Sequence, residues 1–110
     1  MKIEDALALV RAATPLTSEN YPQRPSQNRD ASVAFDLAHA LVHGQKASGI
    51  IAGHVERFDH GDERAFDGRE VAQLQLAATK LVWNALGMCS ALGMSEANIV
   101  KQFQLIAERG

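Results

Sequence analysis

The chain has 110 residues, of which 46% are hydrophobic, 22% charged and 5% aromatic, with a formal net charge of −2. This fits a single domain with one modest core of Ala, Leu, Val and Ile. Acidic and basic residues are interspersed without a basic stripe, so nucleic acid is not an expected partner, and no apolar run reaches the roughly 18 residues needed to span a bilayer. With a single cysteine, Cys89, in an apolar helical pattern and no signal-peptide order at the N-terminus, a buried thiol and a cytoplasmic location are expected.

The first helix is expected within residues 1–14. Ile3, Leu7 and Val10, with Leu9 on the flank, share one face over residues 3–13, and Thr14-Pro15 ends the run because proline pushes its predecessor out of the α region. Residues 15–30 hold all three prolines, Pro15, Pro22 and Pro25, and read as an extended connection.

Residues 31–110 read as the helical core. From about Ala31 to Phe58 an apolar stripe of Val33, Leu37, Ala40, Leu41, Gly44, Ile51, Val55 and Phe58 predicts a long helix, with Gly44 and Gly49 as candidate bend points. Gly61 is a natural stop within a polar stretch. Asp67, followed three residues later by Glu70, has the logic of a capping box for a third helix. That helix places Val71, Leu74, Ala78, Leu81, Ala85 and Cys89 on one face, broadened by Val82 and Leu86. Gly93 suits a left-handed C′ position, Ser95 an N-cap, and Ile99, Val100, Phe103 and Ile106 the apolar face of a fourth helix. The expected fold class is all-α, a four-helix antiparallel bundle. A broad third-helix face and a small core point to a homodimer that buries the remaining stripes.

Two patterns carry a resemblance. Leu37-Ala38-His39-Ala40-Leu41 lies in the second helix, and Leu81-Val82-Trp83 is followed, nine residues after the Trp, by Leu92-Gly93-Met94-Ser95. Over Asp30 to Gly110 the chain resembles the MazG-type all-α nucleoside triphosphate pyrophosphohydrolases. The resemblance implies a MazG-like bundle in which a Glu-x-x-Glu helix faces a Glu-x-x-Asp helix and carboxylates hold Mg²⁺. The first acidic pair then falls on Gly44 and Ala47, or with a one-residue shift on Gln45 and Ser48, and the second on Ala77 and Lys80. None is a carboxylate. The expected function is therefore a MazG-like binding or assembly module without the family's Mg-dependent chemistry.

Other constellations remain as candidates. Lys46 and Lys80 could neutralise a nucleotide or phosphate ligand as point charges, and Glu70 is a further ligand-binding candidate. Asp36, His39 and His43, at i, i+3 and i+7, offer a carboxylate and two imidazoles suited to Zn²⁺ or another transition metal. The alternative to a silent site is a pyrophosphohydrolase with a rearranged acidic site built from Asp36, Glu70 and Glu56 or Asp67; Mg²⁺ enters only in that case.

Overall fold

The computed structural model describes residues 1–13 and 15–110; Thr14, the last residue of the expected first helix, lies outside the described residues. The described residues are all-α, with four helices: α1 (Ile3–Ala13), α2 (Arg29–Asp59), α3 (Gly68–Ala91) and α4 (Glu96–Arg109). None is long and apolar enough to cross a membrane, among the described residues.

Local signals set the helix ends. Asn28 caps α2 by accepting from the Ala31 N–H at 3.0 Å, so Arg29 and Asp30, expected in the connection, belong to the helix. α2 is a single helix through Gly44 and Gly49. It closes in a Schellman motif, with Gly61 at φ +93°, its N–H on the Phe58 carbonyl and the Asp62 N–H on that of Arg57. α3 ends the same way: Gly93 has φ +71°, and the N–H groups of Gly93 and Met94 reach the Ser90 and Cys89 carbonyls.

Asp67 caps α3, accepting from the Glu70 N–H at 3.2 Å. The reciprocal half of the expected box is not made, because the Glu70 carboxylate turns instead to His54 and Arg57. A complete capping box stands at α4, where Ser95 accepts from the Asn98 N–H and the Asn98 side chain accepts from the Ser95 N–H.

The α2–α3 pair forms the centre of the fold and α1 lies on α3. Its seam is lined by small residues rather than by the large aliphatics that the sequence pattern favours. On α2 the buried positions are Ser32, Ala40, Gly44, Ala47 and His54, and on α3 Ala77. A Cβ on Gly44 would lie 3.8 Å from Leu81 and Asn84, and one on Gly87 3.6 Å from Ala40 and 3.8 Å from Val10. These are ordinary van der Waals distances to neighbouring side chains, so the seam is in contact through small residues. Leu41, Val55 and Phe58, expected in the core, are about half exposed, and on α3 Val71, Ala78 and Ala85 are also exposed. On α1, Leu7 and Val10 are buried as expected.

Candidate functional site

The connection between α1 and α2 is a strap fastened to α2. Arg24 donates to both oxygens of Asp36, from Nε at 2.8 Å and Nη2 at 2.9 Å, in a largely buried bidentate pair. The Ser32 hydroxyl donates to the Pro25 carbonyl. Tyr21 turns its ring onto the His39 ring edge, with centroids 5.0 Å apart, and lies 6.1 Å from Phe35.

Beneath the strap, α2 and α3 enclose a cleft of about 1070 Å³. Five cationic side chains line it, Arg11, Arg24, Arg29, Lys46 and Lys80, against one carboxylate, Asp36, which Arg24 already occupies. Arg11 donates from Nε to the Ser90 hydroxyl at 2.8 Å. Neither Lys46 nor Lys80 pairs with a carboxylate among the described residues. The wall also carries ring systems: Tyr21, His39, His43 and Trp83. Burial, and then the neighbouring His43, push the His39 imidazole below its ordinary pKa, with Asp36 opposing. His39 is thus held towards its neutral form.

The structure brings Lys46 and Lys80 to the same cleft. Gly44 and Ala77 are buried away from it, and Ala47, also buried, contributes to its lining. Gln45 and Ser48 are exposed, and the Ser48 hydroxyl turns back to the Gln45 carbonyl at 2.9 Å. Glu70 does not join the lysines. It accepts instead from His54 Nε2 at 2.6 Å and from Arg57 Nη1 at 3.4 Å.

The Asp36, His39 and His43 set is not assembled as a metal site. Asp36 is paired with Arg24 through both oxygens, and His39 lies against the rings of Tyr21, Phe35 and His43. Among the described residues no group of three His, Cys, Asp or Glu side chains stands in a position to hold a metal ion. Of the carboxylates of the rearranged acidic site, Asp36 and Glu56 belong to α2, where Asp36 is paired with Arg24 of the strap, whereas Asp67 and Glu70 stand together at the start of α3, Asp67 on the Glu70 N–H and Glu70 on His54.

Sequence reading did not find Arg11, Arg24, Arg29 or Tyr21. The strap arginine and α1 reach the cleft only through the tertiary fold. The Pro-rich connection was the available signal, since a long polar link of this kind is often functional. No family model matches the chain, and neither the curated proteins nor the solved structures include a match.

Proposed function

We propose that this chain is a MazG-like module that binds a phosphate-bearing ligand, with a nucleotide as the expected class, directly on cationic side chains and without hydrolysing it. The observation that carries this reading is the charge of the cleft: five cations face one committed carboxylate in a chain whose net charge is −2. In the MazG arrangement carboxylates hold Mg²⁺ and the metal meets the phosphates. Here the corresponding positions are Gly44, Ala47, Ala77 and Lys80, with Lys46 alongside. That substitution inverts the sign of the site, so that lysine takes the place of the metal as the phosphate's counter-charge.

The register of the helices is compatible with this. Gly44 lies against Leu81 and Asn84, so the two stretches that would carry the acidic pairs run past each other. The rings of Tyr21, His39, His43 and Trp83 give a planar base a surface to stack on. A second copy of the chain completes the bundle in this reading.

Calorimetric titration with nucleoside triphosphates in the presence of a chelator tests the proposal. Binding is expected without Mg²⁺, and Lys46→Glu with Lys80→Glu should weaken it about a hundredfold or more, since hydrogen bonds to charged groups contribute roughly 1.5–3 kcal/mol each. Absence of heat at millimolar nucleotide removes the reading. Mg²⁺-dependent release of pyrophosphate replaces it with the hydrolase alternative.

A further inference from the structure

The cleft has a cationic level at each end. Its register follows from the helix packing: a Cβ on Gly87 lies 3.6 Å from Ala40, and one on Gly44 3.8 Å from Leu81 and Asn84, so α2 and α3 run antiparallel. Carried along the helices, this register sets His43 opposite Trp83 and Lys46 opposite Lys80. In the other direction it sets Asp36 opposite Ser90.

The charge gathers at the two ends of this ladder. Lys46 and Lys80 share one level, and neither pairs with a carboxylate among the described residues. At the other, Arg24 lies on Asp36, and Arg11 reaches over from α1 to the Ser90 hydroxyl. Ten residues of α2 separate Asp36 from Lys46, a rise of about 15 Å. Arg24 and Asp36 offset each other, whereas Arg11 has only a neutral hydroxyl and keeps its full charge. Ser90 takes its Nε, which leaves the Nη groups as donors in the fork geometry that phosphate favours. Between the two levels the walls carry rings, His39 and His43 from α2 and Trp83 from α3.

A single phosphate groups its oxygens around one phosphorus and cannot meet both levels at once. Ribose, however, is a branch point from which the 5′ arm, the base and the 3′ oxygen leave in different directions. The cleft offers a partner to each. The lysine pair, with two charges at one level, suits the more highly charged 5′ arm, and the rings suit the base. A nucleotide phosphorylated only on its 5′ side then leaves Arg11 without a counter-charge.

We propose that the ligand of this cleft is a nucleotide phosphorylated on both sides of its ribose, with the 5′ polyphosphate on Lys46 and Lys80 and a 3′ phosphate on Arg11. This rests on the reading that the cleft binds a nucleotide, and it names the kind.

Calorimetric titration of the full chain with ATP and with adenosine 3′-phosphate 5′-triphosphate, in the presence of a chelator, isolates the second phosphate, because base and 5′ arm are the same in both. The 3′-phosphorylated probe should bind about tenfold tighter or more, the scale of one hydrogen bond to a charged group. Arg11→Gln should bring the two affinities together, and Arg11→Lys, which keeps the charge, should retain part of the preference. Lys46→Glu with Lys80→Glu should weaken both probes. Equal affinities in the wild-type chain, or a preference that survives Arg11→Gln, overturn the proposal while leaving nucleotide binding in place. Heat from neither probe removes both readings.

Discussion

His54 on α2 has both ring nitrogens committed to acceptors. Nδ1 lies 2.8 Å from the Ile50 carbonyl oxygen and Nε2 2.6 Å from Glu70 Oε2. A carbonyl can only accept, and so can an ionised carboxylate, so this geometry calls for a proton on each nitrogen, the imidazolium. Accordingly the Ile50 carbonyl first, and then the hydrogen bond to Glu70, raise the His54 pKa above its ordinary value, with burial opposing. A group whose pKa is higher in the folded than in the unfolded chain stabilises the fold fully below the unfolded value, about 6.5 for histidine. That stabilisation is lost as pH rises through the folded value. The thermal midpoint should therefore fall as pH climbs above about 6.5, and Glu70→Gln should flatten that dependence. NMR titration of the His54 ring reads the same group directly, and a midpoint slope identical in wild type and Glu70→Gln would refute the assignment.

At the scale of the element, glycine separates two kinds of position. Gly49 and Gly53 sit inside α2, and a Cβ on either meets nothing within 4 Å. Gly49→Ala and Gly53→Ala should each stabilise the chain by about 0.5–1 kcal/mol, because alanine loses less backbone freedom in a helix. Gly61 and Gly93 hold φ of +93° and +71° in the Schellman turns. Alanine at either should cost about 1–2 kcal/mol, since its Cβ crowds the left-handed region. Urea denaturation midpoints distinguish the two signs.

The same contrast explains what was legible in the sequence. Helix ends depend on local chemistry, and Gly61, Asp67, Gly93 and Ser95 each mark one correctly. The packed face of α2 was only partly legible. A hydrophobic stripe points to Leu41, Val55 and Phe58, whereas the positions buried along α2 include the small Ala40, Gly44 and Ala47. Of the cleft, Lys46 and Lys80 were singled out in the sequence as candidate anion-binding side chains, but the arginines of the strap and α1 come together with them only in three dimensions.

The whole molecule is extended for its length. Its radius of gyration is 16.8 Å, against about 13 Å for a compact chain of this size. The buried apolar set is mostly alanine, with Leu7, Val10 and Ile99 as its larger members, while Phe58, Val82, Phe103 and Ile106 are more than half exposed. Covering a large aliphatic or aromatic side chain is worth about 1.5–3 kcal/mol, so much of the available hydrophobic stabilisation remains unused by a single copy. If a second copy supplies it, folding and association are one equilibrium, and stability depends on protein concentration. Each tenfold increase in concentration adds about 1.4 kcal/mol and should raise the thermal midpoint by roughly 3–5 °C for a unit of this combined size. Calorimetric scans over a concentration series should show that rise. A midpoint independent of concentration would mean that the single chain carries its own stability despite its thin seam, and that its exposed apolar side chains contribute nothing to the fold.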